Sequence, residues 1–240
     1  MTNEAAMVFG GGRGIGSAIV KRLGANGFDV AFTYVSQPDR AAEVVAAVEA
    51  TGRRAIALKA DSADDGAIEK AVESAAEQLG ALDAVVVNAG ILRLGTIDTF
   101  SLEDLDLSLA VNVRGVFLAI QSSSRHLRDG GKIVTIGSNT AKRPGGPGSS
   151  VYSMTKAAVA AMVKGVALDL APRRITVNNI QPGPIETDMT APFADHLRDA
   201  MPIGRLGKPE EVAALVSYLV GPETGYMTGA DITIDGGFIL

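Results

Sequence analysis

The chain has 240 residues, of which 47% are hydrophobic and 20% charged, with a formal net charge of −5. This composition predicts a substantial core and excludes a disordered chain, and the acidic balance argues against a nucleic-acid partner. The chain contains no cysteine and only two histidines, His126 and His196, so we expect no disulfide, no thiolate chemistry and no metal site. The start MTNEAAMVFGGG lacks the pattern of a signal peptide, and we identify no apolar stretch of membrane-spanning length. We therefore expect a cytoplasmic protein without a membrane partner.

Short apolar runs alternate along the chain with longer helical patterns. The predicted strands are 5–10, 28–34, 54–60, 82–90, 131–138, 175–183 and 231–237. The predicted helices are 14–27, 39–52, 64–80, 102–131 and about 151–170. Runs that are apolar on both faces, such as 85–87, are typical of a parallel strand covered by helices on each side. The alternation predicts an α/β fold with one domain over 1–240, built on a doubly wound, seven-stranded parallel sheet with helices on both faces.

Two segments of this pattern are irregular. The loop 139–151 precedes the last long helix, and the stretch 184–209 follows the sixth strand. Loops after parallel strands gather at the edge of the sheet where ligands bind. We therefore predict that 184–209 forms a lid over a site at that edge.

Glycines separate the first predicted strand from the first helix, in the stretch MVFGGGRGIGSAIV. Gly10, Gly14 and Gly16 stand where the pyrophosphate of a dinucleotide meets backbone N–H groups and a helix N-terminus. A tight turn would explain the glycines equally well. Their place between a strand and a helix favours dinucleotide binding.

The end of the second strand, FTYVSQPDR, bears on the choice of cofactor. Its tip, with Tyr34 and Ser36, lacks the acidic residue that binds the ribose 2′-hydroxyl in NAD-dependent proteins of this kind. Arg13, within the glycine loop, is suited to face a 2′-phosphate. We therefore favour NADP(H), while the nearby Asp39 keeps NAD(H) possible.

The stretch SSVYSMTKAAVAAMV, residues 149–163, carries Tyr152 and Lys156 one helical turn apart and hence on the same face. A surface tyrosine beside a snorkelling lysine is a common arrangement without a function. The alternative is a phenol whose proton is made easier to move by a neighbouring ammonium group. The pair alone does not decide between the two.

The order of several short motifs resembles that of the short-chain dehydrogenase/reductase family over nearly the whole chain. Besides the glycine loop and the Tyr-Lys pair, the matching residues are Asp61, the NAG at 88–90, Asn112, Ser138, the PG at 182–183 and Thr187. The segments 204–213 and 226–237 are similar to those of 3-oxoacyl reductases and related bacterial carbonyl reductases. The resemblance implies a Rossmann oxidoreductase that transfers a hydride between NADP(H) and a small-molecule carbonyl compound or secondary alcohol.

The resemblance also implies a role for individual residues. Tyr152 would be the acid/base and Ser138 would orient the carbonyl group. Lys156 would assist Tyr152 and bind the nicotinamide ribose, and Asn112 would hold a water that links Lys156 to solvent. The residues predicted to bind the cofactor are Gly10, Arg13, Gly14, Ile15, Gly16, Tyr34, Ser36, Asp61, Ser62, Asn88, Ala89, Gly90, Tyr152, Lys156, Pro182, Gly183, Ile185 and Thr187.

Single members of this set have structural alternatives, for instance Asp61-Ser62 as a helix N-cap and Ser138 as a turn residue. Two residues depart from the family pattern, because Phe9 and Val87 stand where polar residues usually tie the loops together.

The substrate is left open by the sequence. Pro144, Pro147, Met189, Phe193 and Met201 form either apolar walls of a pocket or ordinary loop packing. The acidic Asp129, near the fifth strand, favours a free carbonyl compound over one bound to a carrier protein.

Two further expectations concern partners and the alternative function. Related proteins form homodimers or homotetramers through two long helices, here near 103–127 and 151–170. A nucleotide-binding regulatory protein with little turnover is the alternative function. The presence of the tyrosine, the lysine and the serine together favours an enzyme.

Overall fold

The structure, a computed structural model, describes residues 4–240 and contains a parallel sheet of seven strands in the order β3-β2-β1-β4-β5-β6-β7. The strands are β1 (Ala5–Phe9), β2 (Asp29–Tyr34), β3 (Ala55–Lys59), β4 (Leu82–Val87), β5 (Leu127–Ile136), β6 (Thr176–Pro182) and β7 (Asp231–Ile234). The chain builds one half of the sheet outward from β1 and then the other half from β4. The predicted doubly wound α/β fold is therefore confirmed.

The described residues 4–240 contain eight α-helices, six of which supply residues to the cores on the two faces of this sheet. The eight helices are α1 (Gly14–Ala25), α2 (Pro38–Glu49), α3 (Asp65–Leu79), α4 (Leu102–Leu109), α5 (Gly115–Ser124), α6 (Ser150–Leu170), α7 (Ala194–Asp199) and α8 (Pro209–Val220). The central strands supply alternate residues to two separate cores. Val8 and Val86 face the core under α1, α2 and α8, whereas Met7 and Val85 face the core under α3, α5 and α6.

The helix predicted over 102–131 is continuous to Ser124, so the prediction is wrong only at its end. A π-helical turn, Ala110–Arg114, joins α4 to α5, and the helix ends at Ser124. After a turn of two residues β5 begins at Leu127, which pairs with Leu82 before the register shifts and Lys132 pairs with Ala84. Gly130, with φ +83°, lies within this irregularity, so the two glycines that indicate a helix end by sequence mark a bulge instead.

The expectation that no apolar stretch reaches membrane-spanning length is also wrong. Leu102–Ser124 and Ser150–Arg173 are long and apolar enough to cross a membrane by length and composition alone. Both stretches pack one side against the sheet, with Ile120 and Val163 in its core. The same composition is typical of core helices in water-soluble folds, and the absence of a membrane partner stays a prediction.

Candidate active site

A cavity of about 770 Å³ lies along the carboxyl edge of the sheet, where the strand order reverses between β1 and β4. Its walls come from the glycine loop, the ends of β2 and β5, the loop after β4, the start of α6 and the segment 184–209. All the residues predicted for the site line this cavity except Gly16 and Asn112. The fold therefore brings most of the predicted residues together in one cavity, and their roles in binding and catalysis stay predictions.

The glycine loop is held in shape by neighbouring strands. Gly10 has φ +76°, and its N–H donates to the Thr33 hydroxyl at 2.8 Å, which supplies a polar tie although Phe9 precedes the loop. The amide Nδ2 of Asn88 donates to the Gly10 carbonyl at 2.8 Å, so the Asn88 side chain braces the loop. A Cβ on Gly16 would lie 1.9 Å from the same carbonyl oxygen. Gly16 therefore allows α1 to begin directly beneath the loop, and it does not line the cavity.

The cradle above α1 fits an anionic ligand. Gly12 and Gly14 line the cavity, and α1 begins at Gly14 with no acidic residue in its first turn. Backbone N–H groups at such a helix start attract phosphate. A Cβ on Gly14 would approach the Thr187 side chain to 3.4 Å, which shows how closely the segment 184–209 comes to the loop.

The end of β2 presents Tyr34 and Ser36 to the cavity, as predicted. Among the described residues that line the cavity, none from this strand end carries a carboxylate, and Asp39 lies outside the lining in the first turn of α2. Arg13 lines the cavity and contacts Asp188, which Arg40 contacts as well. Arg40 and Asp188 were not predicted from the sequence, because they come from separate elements and belong to no motif.

Tyr152 and Lys156 lie side by side in the first turns of α6, where Lys156 is buried and Tyr152 is partly exposed to the cavity. Nζ of Lys156 lies 5.7 Å from the centre of the Tyr152 ring and donates to the Ile136 carbonyl at 3.1 Å. Burial lowers the pKa of Lys156 to about 8. Burial also raises the pKa of Tyr152 to about 12, against the smaller lowering effect of a hydrogen bond with Ser138. Desolvation therefore outweighs any help from Lys156 in the protein alone, contrary to the expected lowering of the pKa of the phenol.

Ser138 follows β5 and begins a short 3₁₀ turn over Asn139–Ala141. Its Oγ accepts the N–H of Thr140 at 3.2 Å and the Thr140 hydroxyl at 2.9 Å. Both acceptor positions are then used, so the hydroxyl hydrogen of Ser138 is the one that it donates in its hydrogen bond with Tyr152. The predicted turn role and the predicted carbonyl-orienting role are thus compatible in one side chain.

Asn112 lies in the π-helical turn between α4 and α5 and does not reach the cavity. Its Oδ1 accepts the N–H of Ile91 at 2.9 Å, while Nδ2 donates to the Ile91 carbonyl at 2.9 Å and to Thr155 Oγ1 at 3.3 Å. Both amide hydrogens are used by protein atoms. The side chain therefore pins the loop after β4 to α6, and the expected water-holding role is not available to its N–H groups.

The other predicted contacts lie around the two ends of the cavity. Asp61 accepts the N–H of Ala63 at 2.9 Å and lines the cavity, but the N-cap of α3 is Asp64, so the N-cap alternative for Asp61 is wrong. On the opposite wall, Ile185 is buried and forms a parallel bridge with Gly207. The remaining predicted residues that line the cavity are Ile15, Ser62, Ala89, Gly90, Pro182, Gly183 and Thr187.

The end of the cavity beyond Tyr152 is mostly apolar. Its walls include Leu92, Leu94, Leu107, Val111, Pro147, Met189, Phe193, Leu197 and Phe238. Pro147, Met189 and Phe193 thus line the cavity as one alternative predicted, whereas Pro144 and Met201 do not. Among the described residues that line the whole cavity, the titratable ones are Arg13, Tyr34, Asp61, Tyr152, Lys156, Asp188 and His196.

A parallel doubly wound sheet, a glycine loop under a dinucleotide-sized cavity and a Ser-Tyr-Lys group define the class. The chain belongs to the short-chain dehydrogenase/reductase family of oxidoreductases. A family model described as enoyl-(acyl carrier protein) reductase matches residues 10–239.

Individual relatives match over nearly the full length. A short-chain dehydrogenase/reductase from Serratia marcescens is 52% identical with a TM-score of 0.96, over 99% of this chain and 98% of that one. A short-chain dehydrogenase from Burkholderia cenocepacia J2315, solved in complex with NADP, is 50% identical with a TM-score of 0.96 and the same coverage. The cyclic-di-GMP-binding biofilm dispersal mediator protein of Escherichia coli K12 is 40% identical over 99% of this chain and 98% of its own length.

Proposed function

We propose that this protein uses NADPH to reduce the carbonyl group of an uncharged, largely apolar small molecule. The observation that carries the proposal is the position of Tyr152, with Ser138 and Lys156 beside it, between a phosphate-binding loop and an apolar pocket in one cavity. A proton donor thus adjoins both the cofactor end and the substrate end of the same space.

The choice of NADPH is supported from two sides. The end of β2 offers no carboxylate for a ribose 2′-hydroxyl, and two guanidinium groups, Arg13 and Arg40, stand at the mouth of the cavity. A relative that is 50% identical was solved with NADP. When bound, the reduced nicotinamide supplies the hydride for the carbonyl carbon.

Three side chains, Ser138, Tyr152 and Lys156, stabilise and protonate the carbonyl oxygen of the substrate. Ser138, hydrogen-bonded to Tyr152 in the protein alone, redirects its hydroxyl hydrogen to the carbonyl oxygen and so favours the negative charge that develops there. Tyr152 gives the oxygen its proton, and its high pKa keeps the phenol protonated at neutral pH, as reduction requires. Lys156, held by the Ile136 carbonyl, places a positive charge near the tyrosinate that remains and favours it.

The pocket favours a substrate without a fixed charge. Its walls beyond Tyr152 are apolar, and Lys156 is already bound to the Ile136 carbonyl. A carboxylate there would be desolvated without a dedicated partner, which is unfavourable. Asp129 does not bear on the choice between a free and a carrier-bound substrate. It pairs with Arg173 at the start of β5, at the edge of the sheet opposite the cavity.

A second candidate function is the binding of a nucleotide for regulation, with little turnover. It is favoured by one observation, the 40% identity to a protein named as a cyclic-di-GMP-binding biofilm dispersal mediator. Under this proposal cyclic di-GMP competes with NADPH for the cavity, and substitution of Tyr152 has no effect on function.

The test measures oxidation of NADPH against a panel of neutral ketones and diketones, with charged 3-oxo acids as comparison. We expect turnover with neutral substrates and a loss of about 10²–10⁴-fold in kcat for Tyr152→Phe, with NADPH affinity retained, because a positioned acid contributes about that much. Tyr218→Phe, an exposed tyrosine on α8, is the matched control and should keep full activity. Tight binding of NADPH without turnover, or displacement of NADPH by cyclic di-GMP at low concentration, would favour the regulatory function.

A further inference from the structure

One carboxylate at the mouth of the cavity is shared by two arginines from distant parts of the chain. Oδ2 of Asp188, in the segment 184–209, lies 3.3 Å from Nη1 of Arg13 and 2.9 Å from Nη1 of Arg40. Arg13 belongs to the glycine loop and Arg40 to the first turn of α2. We call this group of three residues the Asp188 clasp.

The Asp188 carboxylate of the clasp is ionised, and another anion can readily replace it on the two arginines. The hydrogen bond from Arg40, followed by that from Arg13, holds the pKa of Asp188 below its usual range, so the carboxylate is charged at neutral pH. All three side chains are about half exposed, at 58% for Arg13, 50% for Arg40 and 54% for Asp188. Ion pairs this accessible to water contribute little to stability and are readily replaced by another anion.

The two arginines are the cations that a ribose 2′-phosphate would meet. Arg13 lines the cavity, as do Tyr34 and Ser36 at the end of β2, while Arg40 stands outside the lining and shares Asp188 with Arg13. Guanidinium groups bind phosphate through charge-assisted hydrogen bonds, and a phosphate monoester carries more negative charge than one carboxylate. The Asp188 carboxylate and a 2′-phosphate would therefore compete for the same donors and repel each other.

We propose that Asp188 is a specificity-determining residue that occupies the phosphate-binding arginines in the free protein and lowers its affinity for 2′-phosphorylated dinucleotides. This inference rests on the proposed use of NADPH and adds a residue, Asp188, that weakens the binding of NADPH. The carboxylate limits how tightly the cofactor is held, which permits exchange of spent cofactor. It also ties the segment 184–209 to the glycine loop until the phosphate takes over the two guanidinium groups.

Binding of nucleotide fragments tests this without any hydride chemistry. Calorimetric titrations use 2′,5′-ADP, which carries the 2′-phosphate, and 5′-AMP, which does not. We expect Asp188→Asn to bind 2′,5′-ADP about three- to tenfold more tightly than the wild type, since two exposed ion pairs no longer compete. The affinity for 5′-AMP should stay unchanged, and the gain should shrink in high salt.

Two further variants sharpen the result. Asp195→Asn removes the same charge from the same segment, but Asp195 is 94% exposed and pairs with Arg198, so it should change neither affinity by more than about twofold. Arg40→Gln should weaken binding of 2′,5′-ADP and spare 5′-AMP, because it removes a phosphate donor.

Several outcomes would overturn the inference. If Asp188→Asn binds 2′,5′-ADP as the wild type does or less tightly, Asp188 does not compete with the phosphate. An equal gain for both fragments would indicate a general change in the cavity. If neither the wild type nor Asp188→Asn prefers 2′,5′-ADP to 5′-AMP, the proposed use of NADPH fails; if both prefer it equally, only the inference about Asp188 fails.

Discussion

Desolvation shifts the pKa values of Tyr152 and Lys156 in opposite directions. Leaving water disfavours the charged form of each group, so the pKa of the phenol rises to about 12 and that of the ammonium falls to about 8. The neutral phenol is the form needed to protonate a carbonyl. The charged lysine is the form needed to favour the tyrosinate, and it is retained at neutral pH at a cost in stability.

This cost predicts that Lys156→Met makes the protein without cofactor more stable while it abolishes activity. The folded-state pKa of Lys156 is about 8 against its ordinary value of 10.5. Allowing for the lost hydrogen bond to Ile136, we expect the free energy of unfolding at pH 7 to rise by about 1–3 kcal/mol. Urea unfolding of the two proteins measures the difference.

The pH dependence of that difference follows from the direction of the shift. Below about pH 8 Lys156 is charged in both the folded and the unfolded state, and the variant has its full advantage. The advantage declines as the pH rises from about 8 toward 10.5, because the folded protein then loses its proton first. Lys70→Met, on the exposed side of α3, should change stability by less than about 0.5 kcal/mol. A less stable Lys156→Met at pH 7 would contradict this account.

Residues in motifs could be predicted from the sequence, and residues that meet only through the fold could not. Tyr152, Lys156 and Ser138 have fixed places in a family pattern, and the structure brings them together. Arg40 and Asp188 are 148 positions apart along the chain, and nothing in their local sequence indicates their contact. The braced side chain of Asn112 could not be predicted either, since its partners depend on the π-helical turn that contains it.

At the scale of elements, the glycine loop depends on one close approach between α1 and the turn above it. The Cβ of an alanine at Gly16 would lie 1.9 Å from the Gly10 carbonyl, so the backbone must move. We expect Gly16→Ala to lower the free energy of unfolding by about 1–3 kcal/mol, as overpacking does. NADPH affinity should also fall at least about tenfold, because the shifted loop no longer presents its N–H groups correctly. Chemical unfolding and a binding titration measure the two effects.

Gly66→Ala on α3 is the matched control, since its Cβ would meet Asp64 at 3.5 Å, an ordinary contact. It should leave NADPH affinity unchanged and stability within about 0.5 kcal/mol of the wild type. If Gly16→Ala binds NADPH as the control does, the loop does not hold the cofactor as proposed.

Elements were predictable where periodicity was clear. All seven strands were located, because each is a short apolar run between turns. The boundary between α5 and β5 was missed, since a helix end and a β-bulge both use glycine there. Helix α8 was not assigned from the sequence, although Pro209 stands at its first turn and glutamates follow it.

At the scale of the whole molecule, the outer helices present apolar surface that the described chain does not cover. The exposed fractions are 75% for Leu102, 46% for Phe117, 47% for Met154 and 77% for Leu168, on α4, α5 and α6. These helices coincide with the ranges expected to form a homodimer or homotetramer. The oligomeric state stays a prediction, and large exposed apolar side chains of this kind are typical of contact surfaces.

The proposed function also depends on the whole molecule, because we propose that one cavity brings a cofactor and a carbonyl compound together for hydride transfer beside Tyr152. The most direct measurement uses NADPH deuterated at both C4 positions, followed by mass spectrometry of the product formed from a neutral ketone. The account predicts an alcohol with one deuterium on the carbinol carbon, formed by the wild type and lost in Tyr152→Phe. An alcohol without deuterium, or bound NADPH that yields no alcohol across the substrate panel, would contradict it.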